Sequence, residues 1–224
     1  MKVSQIKLVK TQKGTEDVFV AGAEYTLYNE DGSIYKTSTT DEAGTIKFFN
    51  VPYGKYTLKE TKAPFGYSLN ATEFEVNVTE NTAIYTIETE DELILTDIKV
   101  KKTCKETGVP LANTEFTLYD ASTGEAVDTV ITDKTGVAVF TGIAYGDYVI
   151  KETKAPEGYA NDSENISFTL NDEYNDETVH SFENSPIAQT GFTSSSLLLL
   201  VLTIGLFVFS VSFGQFWNIK KKEN

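Results

Sequence analysis

Two lysine–glutamate pairs carry the chemistry that this sequence suggests. Lys10 and Lys102 are separated by 92 residues, and so are Glu60 and Glu152. Each is in phase with apolar neighbours in a segment that alternates apolar and polar residues. Because every second side chain of a β-strand points to the same face, the alternation predicts that both lysines and both glutamates are buried.

Burial of a lysine and a carboxylate is costly unless their charges pair or are neutralised. One interpretation is a buried salt bridge in each copy. A more specific hypothesis is that the surroundings raise the glutamate pKa and lower the lysine pKa until both groups are neutral. A neutral amine is a nucleophile, and a protonated glutamate can polarise a neighbouring Asn or Asp carbonyl and relay protons. The product would be a Lys–Asn or Lys–Asp amide, formed with loss of ammonia or water.

Candidate acceptors occur near the end of each copy. In the second copy Asn184 is in phase with His180 and Phe182. The corresponding run of the first copy places Asp91 in phase with Ile87. An amide or carboxyl group in core register is therefore predicted beside each lysine.

Internal repetition divides the chain into two similar domains and a tail. Matching residues at this spacing are Lys10 and Lys102, Gly44 and Gly136, Tyr53 and Tyr145, Glu60 and Glu152, and Tyr67 and Tyr159. A repeat of this length fits a small domain, so we predict domains at residues 1–92 and 93–186. Residues 187–224 form a separate C-terminal segment.

Each copy reads as a series of short strands rich in Val, Ile, Thr, Tyr and Phe. Turn signals such as Asp31-Gly32 and Thr123-Gly124 separate them, and no segment before the tail has a helical period. About seven strands per copy fit an immunoglobulin-like sandwich of two packed antiparallel sheets. The predicted fold class is all-β, with two tandem immunoglobulin-like β-sandwich domains followed by a C-terminal transmembrane helix.

A twelve-residue motif in both copies points to a known family. Tyr56–Tyr67 follows the pattern Tyr-x-Leu-x-Glu-Thr-x-Ala-Pro-x-Gly-Tyr, and Tyr148–Tyr159 follows it with Ile in place of Leu. The pattern resembles the signature of CnaB-type domains, also called SpaA-like or prealbumin-like pilin domains. The resemblance implies an isopeptide bond between a first-strand lysine and a last-strand Asn or Asp, with the motif glutamate as catalyst.

Carried over by position, the resemblance assigns Lys102, Glu152 and Asn184 to the second domain, and Lys10 and Glu60 to the first. The first domain leaves its acceptor open. Strict alignment with Asn184 falls on Glu92, whereas a gap of one residue brings Asp91 into place, and Asp97 is another candidate. We predict Asp91. The alternative for this domain is a plain buried Lys–Glu pair.

The tail has the order of elements of an export and anchoring signal. It contains the motif Ile187-Ala188-Gln189-Thr190-Gly191, an uncharged stretch from Leu197 to Trp217, and a final cluster Lys220-Lys221-Lys222. The stretch is long enough to cross a bilayer core of about 30 Å as a helix, and the lysines would stay in the cytoplasm.

This order resembles the cell-wall sorting signal of Gram-positive surface proteins, which the transpeptidase sortase cuts between Thr and Gly of a Leu-Pro-x-Thr-Gly motif. Ala188 stands where that motif has proline, a form that some sortases accept. The resemblance implies sortase and peptidoglycan as partners, a transient membrane intermediate, and a final place in the cell wall. The alternative is an ordinary single-span membrane anchor.

Other functional classes lack their signals. The sequence has one histidine and one cysteine, so neither a zinc site nor a disulfide is expected, and Cys104 is predicted to be a packed or loop residue. No cofactor, metal or calcium-loop pattern is predicted. The formal charge of −14, with no arginine, argues against nucleic-acid partners.

Two functions remain, and neither is a turnover enzyme. The favoured one is a stalk or minor pilin-like subunit with possible pilin or adhesin partners. The alternative is an adhesin that binds a host or matrix ligand through loops such as residues 11–21 and 160–165. No signal peptide precedes the first predicted strand at Ile6, so we expect either a true start upstream or a larger protein of which this is the C-terminal part. The Tyr-Pro-Lys motif of polymerising pilin shafts is also absent from the sequence.

Overall fold

The computed structural model of the chain describes residues 2–175 and 178–187. Within these ranges the protein is all-β, with two β-sandwiches in tandem and no helix. The prediction of an all-β fold with two tandem sandwiches is confirmed.

The first sandwich contains seven strands in two sheets. They are β1 (Val3–Gln12), β2 (Glu24–Asn29), β3 (Ile34–Thr39), β4 (Thr45–Pro52), β5 (Gly54–Lys62), β6 (Glu73–Val78) and β7 (Ile84–Asp91). One sheet has the order β4-β1-β7 and the other has the order β3-β2-β5-β6. The first and last strands are therefore neighbours in the smaller sheet.

The second sandwich repeats this plan. Its strands are β8 (Leu95–Cys104), β9 (Glu115–Asp120), β10 (Ala126–Ile131), β11 (Val137–Ala144), β12 (Gly146–Lys154), β13 (Ile166–Leu170) and β14 (Val179–Asn184). The sheets have the orders β11-β8-β14 and β10-β9-β12-β13.

The pairing of first and last strands corrects the prediction of purely antiparallel sheets. β1 pairs with β7 in parallel, and β8 pairs with β14 in parallel, whereas every other pairing is antiparallel in the described ranges. Parallel neighbours need a crossover rather than a tight hairpin. Here the last strand reaches the small sheet from β6 or β13 of the opposite sheet, so no hairpin imposes the antiparallel direction.

The core of each sandwich lies between its two sheets. β1 alternates buried and half-buried residues along most of its length, so that Ile6, Leu8 and Lys10 all face inward with no exposed surface. The facing sheet contributes Leu58 and the glutamate two residues later, Glu60. The alternation read from the sequence is thus the alternation of burial in the fold.

Three residues join the two sandwiches. β7 ends at Asp91 and β8 begins at Leu95. Ser68 donates its backbone N–H to the carbonyl of Glu92 at 2.9 Å, and Ile94 donates to the carbonyl of Gly66 at 2.9 Å. The joint is therefore tied by main-chain hydrogen bonds to the loop that follows β5.

The predicted transmembrane stretch 197–217 lies outside the described residues, as do all residues of the sorting motif after Ile187. In the part of the chain that the structure describes, no helix is long and apolar enough to cross a membrane.

Candidate functional site

The first sandwich brings its predicted lysine, glutamate and aspartate together in the core. Lys10 Nζ lies 2.5 Å from Asp91 Oδ1 and 3.1 Å from Glu60 Oε1, and all three side chains are fully shielded from solvent. Lys10 also donates a hydrogen bond to the hydroxyl of Tyr25 at 2.7 Å. Neither oxygen of Asp91 accepts a well-aligned hydrogen bond, so this carboxyl group meets the amine by close approach alone.

The second sandwich builds the same arrangement with an amide as the third member. Lys102 Nζ lies 2.7 Å from Glu152 Oε2 and 2.5 Å from Asn184 Oδ1. Asn184 Nδ2 donates to Glu152 Oε1 at 2.5 Å. Glu152 thus holds the amine with one oxygen and the amide nitrogen with the other. Ser163 also contacts the amine, through its hydroxyl.

Strand register explains why the acceptor meets the lysine. In the parallel ladder Lys10 pairs with Thr89 and Gln12 pairs with Asp91, so the acceptor lies two residues beyond the lysine's partner and on the same face. The second ladder has the same offset, with Lys102 opposite Phe182 and Cys104 opposite Asn184. The glutamates come from the facing sheet and reach the lysines across the core.

A glycine turn fixes the backbone of each lysine. Lys10 donates its N–H to the carbonyl of Gly44 at 2.8 Å, and Lys102 donates to Gly136 at 2.7 Å. Both glycines have positive φ, +63° and +73°, and a Cβ on either would overlap the lysine carbonyl oxygen. Only glycine fits where the turn before β4 or β11 crosses the end of β1 or β8.

The two centres differ in the direction in which the lysine pKa is shifted. Burial opposes the charge on Lys10, but the Asp91 carboxylate and the hydrogen bond to Tyr25 outweigh it, so the pKa of Lys10 is raised. Burial lowers the pKa of Lys102, because the hydrogen bond with Glu152 offsets only part of the desolvation. The prediction of a lowered lysine pKa is therefore wrong for Lys10, since the first domain places a second carboxylate where the second domain has an amide.

Glu60 behaves as predicted. Burial raises its pKa, against the backbone N–H of Asn70 and the charge of Lys10, which both favour the ionised form. Asn70 donates that hydrogen bond to Glu60 Oε2 at 2.7 Å. The amide group of Asn70 also bonds to Thr89 and to the carbonyl of Glu90, so it links the glutamate to the last strand.

The other acceptor candidates lie elsewhere. Asp97 accepts a hydrogen bond from the backbone of Gly142 at 2.9 Å. Glu92 is exposed and pairs with Lys13 at 3.1 Å. Of the three acceptor candidates, Asp91 is the one that the fold brings to Lys10. Of the predicted sorting motif, the structure describes Ile187, which is exposed.

The sequence analysis missed two hydroxyl groups. Tyr25 lies directly opposite Glu60 on β2, and the residue opposite Glu152 on β9 is Phe116. Ser163 lies in the loop before β13, and the residue at the matching position of the first repeat is Ala71. A comparison of the two repeats position by position gives the one available signal, because these are polar-for-apolar exchanges beside the motif.

Comparison with known proteins decides the family. The family model SpaA, described as a prealbumin-like fold domain, matches residues 4–93 and again residues 96–185. The chain belongs to the SpaA prealbumin-like domain family. Each SpaA-like domain corresponds to one of the two sandwiches.

Among curated proteins, the collagen adhesin of Staphylococcus aureus is 30% identical over 183 residues, which are 79% of this chain and 15% of the adhesin. The trypsin-resistant surface T6 protein of Streptococcus pyogenes serotype M6 is 38% identical over 74 residues, 33% of this chain and 14% of that protein. Among solved structures, the Bacillus anthracis TIE protein superposes with a TM-score of 0.69 at 33% identity, over 81% of this chain and 34% of that chain. This chain therefore spans about one third or less of the length of each of these three relatives.

Proposed function

We propose that the chain is part of a cell-wall-anchored stalk or minor pilin-like surface protein whose two SpaA-like domains each form an internal isopeptide bond. The observation that carries the proposal is the close approach of a buried lysine amine to a buried carboxyl or amide group in both domains, 2.5 Å in each. Two copies of one arrangement, built from the same strand offset, favour a shared chemistry over two unrelated buried ion pairs.

In the second domain the reaction is an exchange of one amide for another. The neutral amine of Lys102 attacks Cγ of Asn184, and the lowered pKa of Lys102 favours the neutral amine. Glu152 accepts the proton that Nζ loses and passes a proton to Nδ2, and its two oxygens contact these two nitrogen atoms. The Cγ–Nδ2 bond breaks, and ammonia leaves.

In the first domain the reaction is a condensation. A proton passes from the Lys10 amine to the Asp91 carboxylate, the free amine attacks Cγ, and water leaves. Glu60 lies beside the amine, and its raised pKa favours the protonated carboxyl group that relays a proton as the bond forms. In the starting state Lys10 forms ion pairs with two carboxyl groups, whereas Lys102 forms an ion pair with one, so the first domain holds the proton on its lysine more firmly.

The place of the bonds suits a load-bearing role. Each bond would join the first strand of a sandwich to the last, and these are the strands through which the chain enters and leaves the domain. Tension on the two ends would then pass through a covalent bond and not through the hydrogen bonds of the sheet. Such a domain is a spacer that does not lengthen.

Anchoring to the wall is the second part of the proposal, and it is supported by the sequence of the tail. Sortase would cut between Thr190 and Gly191 and join the Thr190 carboxylate to peptidoglycan. Replacement of Thr190 by Ala in the native host should move the protein from the wall fraction to the membrane fraction. Equal recovery of both forms in the wall fraction would contradict this part alone.

The intact mass of the purified full chain tests the bonds. We expect a deficit of one water plus one ammonia, reduced to ammonia alone in Lys10→Ala and to water alone in Lys102→Ala. Peptide mapping should find Lys102 joined to Asn184 and Lys10 joined to Asp91. A wild-type chain with no mass deficit would contain no isopeptide bond. The two centres would then be ordinary buried ion pairs, and the mechanical proposal would be wrong.

Adhesion is a second candidate because one relative is named a collagen adhesin. Val18 and Phe19 in the predicted binding loop 11–21 are 41% and 47% exposed, which gives that loop an apolar surface. Direct binding of the full chain to immobilised collagen, lost in Phe19→Ser, would support this function. Equal binding by both forms would argue against this loop.

A further inference from the structure

The amine of each lysine contacts one hydroxyl group, and the two domains supply it from different places. In the first domain it is Tyr25 on β2, and in the second it is Ser163 in the loop before β13. Each domain has an apolar residue where the other has its hydroxyl, Phe116 in one case and Ala71 in the other. The source of the hydroxyl group changes together with the residue that the lysine attacks. The serine occurs in the domain with the amide of Asn184, and the tyrosine occurs in the domain with the carboxyl group of Asp91.

Ser163 differs from Tyr25 in what else it contacts. Its Oγ lies 2.7 Å from Asn184 Oδ1 and 2.8 Å from the carbonyl oxygen of Glu183, while Lys102 donates to it. A hydroxyl group has one proton and accepts through its lone pairs. The proton of Ser163 therefore points to one of two oxygens, and one of these belongs to the amide that the lysine attacks.

We propose that Ser163 is a fourth catalytic residue of the second domain, which donates its hydroxyl hydrogen bond to Asn184 Oδ1 while the amine of Lys102 attacks Cγ. The inference rests on the proposed isopeptide function. As the Nζ–Cγ bond forms, the π electrons of the amide move to Oδ1 and create an oxyanion. A donor already in place at Oδ1 stabilises this charge, and its hydrogen bond becomes stronger as the charge grows. The electrons return when the Cγ–Nδ2 bond breaks, and Ser163 keeps its proton throughout.

The other contacts of the amide show why this donor matters. Glu152 accepts from Nδ2 and from the lysine, so its oxygens face nitrogen atoms and not Oδ1. Lys102 itself donates to Oδ1 before the reaction, but the attacking nitrogen cannot keep that hydrogen bond once it bonds to Cγ. Ser163 is the remaining side-chain donor that the described residues place at Oδ1.

The first domain has less need of such a donor. Its acceptor is a carboxyl group, which must gain a proton before it reacts, and that proton reduces the charge that develops on the oxygen. The amide of Asn184 carries no such proton on Oδ1. This difference is consistent with Ala71 at the position that matches Ser163.

The test follows the loss of ammonia over time in the full chain. Protein made by cell-free synthesis is sampled over time and quenched in acid, and its intact mass is measured. The loss of water by the first domain serves as an internal reference reaction. We expect Ser163→Ala to slow the loss of ammonia by about a hundredfold or more, the effect of removing one oxyanion donor. Ser163→Thr keeps the hydroxyl and should restore most of the rate. Ser167→Ala, an exposed serine of β13, is the matched control and should react as the wild type does.

A second comparison separates catalysis from a structural role. Lys102→Ala cannot form the bond, so adding Ser163→Ala to it shows what the serine contributes to folding alone. Similar melting temperatures of the two proteins, together with a slow Ser163→Ala reaction, support the proposal. An unchanged rate in Ser163→Ala overturns it, as does a loss of melting temperature that accounts for the slow reaction. A wild-type chain that never loses ammonia is a different result, because it removes the proposed function itself.

Discussion

The third residue of each centre decides which molecule the reaction would release. Asp91 and Asn184 occupy matching places at the end of the last strand, both fully buried. The two side chains differ in one heavy atom, which is an oxygen in Asp91 and a nitrogen in Asn184. That atom sets the charge beside the lysine, and therefore the proton transfers that must come before attack.

Asp91→Asn should convert the first centre to the chemistry of the second. We expect the full chain to lose two ammonia molecules in place of one water and one ammonia. The substitution also removes the carboxylate that raises the pKa of Lys10, so the bond should form at lower pH than in the wild type. Intact mass measured across a pH series checks both statements. Asp97→Asn is the control, and a changed mass deficit there would contradict Asp91 as the acceptor.

His180 is a half-buried titratable residue of β14 outside the two centres. Its ring lies 4.4 Å from that of Phe168, and its Nε2 has no hydrogen-bond partner. Burial lowers the pKa of His180 below its ordinary value. The folded domain therefore binds this proton less readily than the unfolded chain does.

Stability of the second domain should therefore fall on acidification. The contribution of neutral His180 is fully present above the unfolded pKa of about 6.5 and is lost as the pH falls below it. Denaturant midpoints between pH 8 and pH 5 would show the loss, measured in Lys102→Ala so that no crosslink intervenes. His180→Phe should flatten the curve in this window. An equal slope in both proteins would assign the effect to other groups.

At the scale of the strands, the turn before β4 controls the position of Lys10. Gly44→Ala introduces strain from positive φ and an overlap with the Lys10 carbonyl oxygen. Gly32 has a similar φ of +80° but no atom near an added Cβ, so Gly32→Ala measures the strain alone. We expect a cost of about 1–2 kcal/mol for Gly32→Ala and more for Gly44→Ala. Only Gly44→Ala should slow the loss of water, and equal effects in both variants would show that the overlap does not matter.

Local patterns predicted the strands well, because the period of two that buries Ile6, Leu8 and Lys10 is a property of neighbouring residues. They did not predict that β1 pairs with β7 in parallel, since residues far apart in sequence make that pairing. The choice of Asp91 came from phase and alignment, and the fold brings that residue to Lys10. Ser163 had no phase signal, because it lies in a loop where no period applies, and only its exchange for Ala71 between the repeats marks it.

At the scale of the whole molecule, the chain contains two copies of one sandwich domain, so the contribution of each bond can be measured separately. Glu60→Gln and Glu152→Gln keep the shape of the side chain but remove the acid–base group. Each variant should lose one crosslink and about 4 kcal/mol of stability, the size expected for cross-linking a chain segment of this length. The double variant should lose roughly twice as much, because the centres lie in separate sandwiches.

Melting temperature together with intact mass checks this prediction. Glu75→Gln and Glu125→Gln change exposed glutamates, one in each domain, and serve as controls. A full mass deficit in Glu60→Gln or Glu152→Gln would contradict a catalytic role for that glutamate. Loss of the crosslink without loss of stability would instead contradict the idea that the bond supports the fold.

The offset between each lysine and its acceptor has a topological consequence. With the bonds formed, residues 10–91 and 102–184 become two closed circuits of chain, and residues 92–101 are the single thread between them. One cleavage by a protease inside a circuit opens it but leaves its two ends joined. A single cleavage would separate the two domains only within residues 92–101. The first part of this segment is held by the hydrogen bonds of Glu92 and Ile94, and most of the rest is strand β8. A surface protein built this way could be nicked in its exposed loops and still hold what it carries.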